Sequence, residues 1–326
     1  MKNRMRTALA VLATLALTAS GPVGLSQASG DDDGRTQAKT TKVFTLDPST
    51  PGNNPEGVAW DNRSKSFFVG TVATGTIYRA TLRDTTLRPF ITPDPADPPD
   101  AAVGMKVAGG KLFVAGGPTG SIYVYKIKTG ALLARFETGP GGFLNDLVVT
   151  QKGDVYVTDS FRPTLWHLTG AMVKAGTGPP EGISVAPEVA YTAGEFNLNG
   201  IVERRGGREL IVVNTFSKSF FRIDINRNNT AARTITKIDA PELGGDGLLI
   251  DRGRLLVVTG NPAAVTVLKL SRNDLRARVD KVLTDPSLRG PSTIARAKDR
   301  YLVVNAAFRQ PTPYTVSAIP RGHGDD

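Results

Sequence analysis

A short three-strand unit recurs along this chain, and its spacing constrains the fold more than any other feature. The second strand of each copy reads Phe67-Phe68-Val69-Gly70, Leu112-Phe113-Val114-Ala115, Val155-Tyr156-Val157-Thr158, Ile211-Val212-Val213-Asn214, Leu256-Val257-Val258-Thr259 and Leu302-Val303-Val304-Asn305. With Phe68, Phe113, Tyr156, Val212, Val257 and Val303 taken as equivalent, the steps are 45, 43, 56, 45 and 46 residues. Each copy continues through a small or polar loop into a third strand, such as Thr164-Leu165-Trp166-His167 or Ser219-Phe220-Phe221-Arg222. The segments are short, β-branched or alternating, as strands of antiparallel sheets are. A strand repeat of about 40–50 residues is the mark of a β-propeller. The expected fold is therefore all-β, a six-bladed β-propeller with four antiparallel strands per blade. A β-sandwich with accidental spacing is the competing reading. The long step of 56 fits an insertion over Gly176 to Pro187.

The two ends of the repeat array complete each other. Thr41 to Leu46 reads as a lone strand, and the last copy, Pro291 to Pro320, has three strands and no fourth. An N-terminal strand that closes the last blade removes two free edges at once. The propeller is thus expected over residues 41–320. Before it, Lys2, Arg4 and Arg6, the apolar run Ala8 to Ala19, and Ser26-Gln27-Ala28 read as a secretory signal peptide over 1–28. Cleavage is expected near Ala28, with Ala19 as the alternative, so that the mature protein is secreted. Residues 29–40 read as a flexible leader and 321–326 as a disordered tail. No other apolar run is long enough to act as a membrane anchor.

Composition removes several chemistries. The 326 residues contain no cysteine, which excludes disulfides, thiolate catalysis and iron–sulfur clusters. Two histidines, His167 and His323, leave no basis for a multi-imidazole metal site. The net charge is +10, but the basic residues are dispersed and form no stripe interleaved with aromatics, so nucleic acid is not an expected partner. A small-molecule substrate or ligand and a monomeric state are expected.

The first strands carry the chemistry. Aligned by copy, they open Glu56-Gly57-Val58, Asn145-Asp146-Leu147, Asn199-Gly200-Ile201 and Asp246-Gly247-Leu248, with Val103-Gly104-Met105 and Pro291-Ser292-Thr293 in copies two and six. First strands of propeller blades line the central channel, so Glu56, Asn145, Asn199 and Asp246 converge at one mouth. Two carboxylates and two amide oxygens suit a hard divalent cation. Glu-Gly, Asn-Gly and Asp-Gly are also ordinary turn dipeptides, and that reading competes. The loops between second and third strands share the mouth and add Asp159, Arg162, Phe216, Asn261 and Arg309 as ligand-contact candidates. Met105 and Lys106, at the start of a first strand, lie nearer the channel, with one of the two expected to face the sheet.

These four dipeptides, in this order and spacing, resemble the SMP-30/gluconolactonase/LRE-like family, over about Val43 to Ile319. The resemblance implies one divalent cation in the channel, Ca²⁺ first, with Zn²⁺, Mn²⁺ or Mg²⁺ as alternatives. It implies Glu56, Asn199 and Asp246 as direct metal ligands, Asn145 as a ligand directly or through water, and Asp246 also as the catalytic general base. The implied activity is hydrolysis of a lactone or related ester by water attack on a carbonyl polarised by the cation. Many such lactonases carry an arginine two residues before the position of Asn145. Phe143 stands there in this chain, which points to a more apolar or unrelated ligand. The histidine pair of the related paraoxonases has no counterpart. The alternative is a secreted propeller without catalysis, binding a small ligand or protein partner around a structural cation.

Overall fold

The computed structural model describes residues 40–49, 54–93, 101–225, 232–308 and 313–321. The proposed signal peptide, most of the leader and residues 322–326 lie outside the described residues, as do Arg309 and His323. Among the described residues no helix is long and apolar enough to cross a membrane.

After β1 (Lys42–Leu46) the strands come in runs. The first is β2 (Pro55–Asp61), β3 (Ser66–Thr71), β4 (Ile77–Thr81) and β5 (Thr86–Ile91). The second is β6 (Met105–Ala108), β7 (Lys111–Ala115), β8 (Ser121–Lys126) and β9 (Leu132–Glu137). The third is β10 (Leu144–Val149), β11 (Val155–Asp159) and β12 (Thr164–Leu168), then the helix α1 (Gly170–Ala175) and β13 (Glu181–Ser184). The fourth is β14 (Leu198–Arg204), β15 (Glu209–Asn214), β16 (Ser219–Ile225) and β17 (Ala232–Ile238). The fifth is β18 (Gly245–Asp251), β19 (Arg254–Thr259), β20 (Ala264–Leu270) and β21 (Ala277–Leu283). The last is β22 (Pro291–Ala297), β23 (Arg300–Asn305) and β24 (Thr315–Pro320).

Runs two to five each form a four-stranded antiparallel sheet in sequence order. The first and last runs belong to one eight-stranded sheet, ordered β2-β3-β4-β5-β1-β24-β23-β22. In it β1 pairs antiparallel with β24, from Lys42 opposite Ala318 to Thr45 opposite Thr315, and touches β5 by a short parallel pairing at Thr45 and Leu46. The first strand of each run packs on that of the next, β2 on β6, β6 on β10 and onward to β22 on β2. This is β-propeller architecture, and it displaces the β-sandwich reading.

The core is divided between neighbouring sheets. Tyr156 and Leu165 of the third run meet Ile201, Val212 and Phe221 of the fourth. Where β1 and the last run meet the first, Phe44, Phe67, Tyr78 and Val304 are fully buried, and the Phe44 and Phe67 rings meet edge to face at 5.0 Å. Burying one such side chain contributes about 1.5–3 kcal/mol, so alternate residues of each strand commit their sheet to its neighbour.

The insertion expected over Gly176 to Pro187 is resolved differently. Strand β13 lies inside that stretch, and the added length is split between α1 before it and the loop 185–197 after it. Thr169 caps α1 by accepting from the Met172 N–H, and Gly176 ends it in the left-handed conformation at φ 73°. Six residues are too few for a helical period to show in sequence.

Candidate metal centre

The four dipeptides that carry the candidate ligands sit in β-bulges, not turns. On β2, Pro55 pairs with Thr71 and Val58 with Val69, so Glu56 and Gly57 together oppose one residue. The same two-against-one irregularity falls at Asn145-Asp146, Asn199-Gly200, Asp246-Gly247 and Ser292-Thr293. A bulge bends the strand and re-aims the side chain it carries. Repeated at the start of five inner strands, all but β6, it presents one residue per strand to the same mouth.

The second residue of each pair meets the next inner strand. A Cβ at Gly57 would land on the Val103 carbonyl oxygen, and one at Gly200 on the Asp246 carbonyl oxygen. At Gly247 it would stand 2.5 Å from Thr293 Oγ1. These glycines are required by close backbone approach, which accounts for the dipeptides without any turn.

Glu56 is buried, and its Oε2 has no hydrogen-bond partner. Burial, then Asp246 and Asp146, push its carboxyl well above the usual range, against a smaller opposing pull from Lys106. Burial and Asp146 push Asp246 up to about 7, while a hydrogen bond from Asn199 lowers it. Asn145 donates from Nδ2 to Ser160 Oγ at 3.0 Å, and Ser160 Oγ donates onward to the Leu198 carbonyl at 2.7 Å. That bond turns Oδ1 of Asn145 away from Ser160. The backbone of Asn199 is held by Thr158, whose Oγ1 donates to its carbonyl at 2.6 Å.

Asp146 belongs to this centre and was missed as a site residue. It is buried, and its Oδ1 accepts from Lys106 Nζ at 2.9 Å and from the Leu147 N–H at 2.8 Å. The available signal was a carboxylate where four other copies carry glycine, Gly57, Gly104, Gly200 and Gly247. Three carboxylates thus gather around one lysine. Carboxyls crowded and desolvated without enough positive charge hold protons, and an added cation reverses this by favouring the ionised forms. The orphan oxygen of Glu56, the raised carboxyls and the oxygen-only donor set therefore fit a divalent cation. Among the described residues no cluster of three His, Asp or Glu side chains is by itself arranged to hold a metal, so the amides of Asn145 and Asn199 would have to complete the set.

Below the bulges the channel continues as a cavity of ≈ 430 Å³ lined in part by Val58, Lys106, Val148, Ile201, Leu248 and Ile294. Of the neighbouring pair at the start of β6, Lys106 faces this channel and Met105 is buried in the sheet. Phe216 and Asn261 are exposed on their loops. Asp159 is fully buried and accepts from the N–H groups of Phe143, Phe161 and Arg162 and from the side chains of Arg162 and Trp166. It organises the loop under the mouth and has no face toward solvent. His167 is buried in the third sheet, stacked on Tyr156 at 4.7 Å, with Nδ1 3.1 Å from Glu181 Oε2.

No family profile and no curated protein sequence matches the chain. Solved structures do. A gluconolactonase from Xanthomonas campestris superposes with a TM-score of 0.60 at 16% identity, covering 82% of this chain and 86% of that one. The calcium-binding protein regucalcin from Agrobacterium tumefaciens gives 0.59 at 15% identity, covering 82% and 90%. A luciferin-regenerating enzyme gives 0.59 at 13% identity, covering 87% and 96%. These likenesses establish a shared propeller fold, consistent with the resemblance read from the dipeptides.

Proposed function

We propose that this chain is a secreted, metal-dependent hydrolase of a lactone or related ester, built on a six-bladed ring in which β1 completes the last blade. The observation that carries the reading is the buried, unpartnered Oε2 of Glu56 beside Asp146 and Asp246 at the start of the inner strands. Three similar folds belong to a gluconolactonase, a calcium-binding regucalcin and a luciferin-regenerating enzyme, which supports a lactonase-like assignment. The export part rests on the N-terminal segment.

Glu56, Asn199 and Asp246 would hold the cation, with Asn145 beside them. A divalent cation bound there supplies polarisation of the substrate carbonyl and charge to balance the oxyanion. Asp246 takes the proton of the attacking water as its oxygen reaches the carbonyl carbon, and returns it to the alkoxide released when the ring C–O bond breaks. Asn199 donates to Asp246 and orients it. Lys106 donates to Asp146 at 2.9 Å and fixes it at the channel wall.

The test pairs metal content with hydrolysis on the same purified samples, using a lactone and aryl-ester screen, EDTA, and restoration of Ca²⁺, Zn²⁺, Mn²⁺ or Mg²⁺. Asp246→Asn should keep much of the cation and lose turnover, and Asp246→Ala should lose both. Full metal and unchanged rates in Asp246→Ala would overturn the reading. Phe143, in place of a polar substrate-holding side chain, favours a second reading, a non-catalytic propeller that binds a small apolar ligand or a partner around a structural cation. Metal lost together with thermal stability, and no activity in any preparation, would select it.

A further inference from the structure

Three phenylalanines make a continuous wall beside the carboxylate centre. Phe143 precedes Asn145 by two residues, Phe161 follows Ser160, and Phe196 precedes Asn199 by three. Their ring centroids lie 5.6 Å apart for Phe143 and Phe161, 5.1 Å for Phe143 and Phe196, and 5.1 Å for Phe161 and Phe196. Two residues of extended chain span about 6.6 Å, which puts the Phe143 end of the wall within one small molecule's length of Asn145. The apolar surface continues onto the second run, because Phe143 borders Gly117 together with Ala101 and Val103. Phe196 is 39% exposed, so the wall faces solvent at the mouth and is not core.

The loops that carry the rings are fixed. Asp159 accepts from the N–H groups of Phe143 and Phe161, and the Phe216 N–H donates to the Phe196 carbonyl at 3.2 Å. The Arg162 guanidinium at this corner is already engaged. Arg162 donates from Nε to Asp159, from one terminal nitrogen to the Thr138 carbonyl and from the other to Thr138 Oγ1, and stacks over Trp166. A polyhydroxy ligand laid here would lose water without gaining donors, whereas an alkyl or aryl group gains burial.

We infer that the Phe143–Phe161–Phe196 wall binds the apolar substituent of the substrate, so that the preferred class is lactones or esters carrying an alkyl or aryl group next to the carbonyl-bearing unit. This rests on the hydrolase reading of the adjoining carboxylates. Substrate then spans the mouth, its carbonyl at the oxygen cluster and its apolar group on the rings.

The test is a chain-length series on the metal-replete protein, from γ-butyrolactone through γ-hexalactone and γ-octalactone to γ-decalactone, with glucono-δ-lactone as the polar comparison. In the wild type kcat/KM should rise about two- to fourfold per added methylene until the wall is covered, mainly through KM, with glucono-δ-lactone slowest. Phe196→Ala, at a half-exposed position that tolerates truncation, should flatten that slope, and Phe143→Ala should flatten it independently. A flat series in the wild type, or an unchanged slope in both variants with native melting curves, would overturn the inference. If no lactone is hydrolysed, the hydrolase reading falls by itself. Calorimetric binding of the same series then decides the wall by the same slope and the same variants.

Discussion

Lys106 Nζ donates to Asp146 Oδ1 at 2.9 Å, bridging the inner strands of two successive sheets at the edge of the carboxylate centre. Among the described residues, the lysine opposes two neighbouring carboxylates, Asp246 and Asp146, in their action on Glu56. Lys106→Met keeps most of the stem and removes the charge. Cation binding should tighten, by about tenfold, because a unit charge at this range is worth on the order of 1 kcal/mol or more in a protein environment. Asp146→Asn should weaken it to a similar degree. Calcium titration calorimetry checks both, and unchanged affinity in the two variants would show that the pair stands electrically outside the centre.

The raised carboxyls set a pH dependence with a definite sign. In cation-free protein Asp246 holds its proton up to about pH 7, whereas the unfolded chain releases it near 3.8, the ordinary aspartate value. Between these values the folded state holds more protons, so stability falls as pH rises, by at most about 1.4 kcal/mol per pH unit for one group. Melting temperatures in EDTA should decline from pH 4 to 7. Asp246→Asn should reduce that decline, and saturating cation should abolish it.

Gly200→Ala puts a methyl group on the Asp246 carbonyl oxygen, a backbone atom with nowhere to retreat. The cost should be about 1–3 kcal/mol or more, with weakened cation binding because Asn199 and Asp246 shift together. Gly244→Ala is the control, since its Cβ would meet nothing nearer than 3.7 Å and the residue is not in the left-handed region. Urea denaturation should separate the two, and equal midpoints would refute the close-approach argument.

Closure through β1 is tested by two adjacent residues on opposite faces. Phe44 is fully buried against Phe67, while Val43 is 42% exposed. Phe44→Ala should cost about 3–5 kcal/mol and Val43→Ala no more than about 0.5 kcal/mol. Similar small losses for both would mean that β1 is not integral to the ring.

The strand repeat, the lone N-terminal strand and the register of Glu56, Asn145, Asn199 and Asp246 were legible in the amino-acid sequence by itself. They are local patterns, and each copy restates them, so an ambiguity in one is corrected by the others. Helix α1 was not legible, since its short run owes its form to Thr169 and Gly176 at its ends and not to a periodic face. The role of Asp146 was not legible either. Its carboxylate matters because Lys106, forty residues earlier, and Glu56 and Asp246, far along the chain, are brought to it by the packing of inner strands. The same holds for the aromatic wall, whose rings come from three separate loops, before β10, after β11 and before β14. Sequence patterning decided which strands form and which faces they bury. Only the tertiary structure decided which charges and rings share a space, because electrostatic and apolar contacts act across distances in space that chain separation does not record.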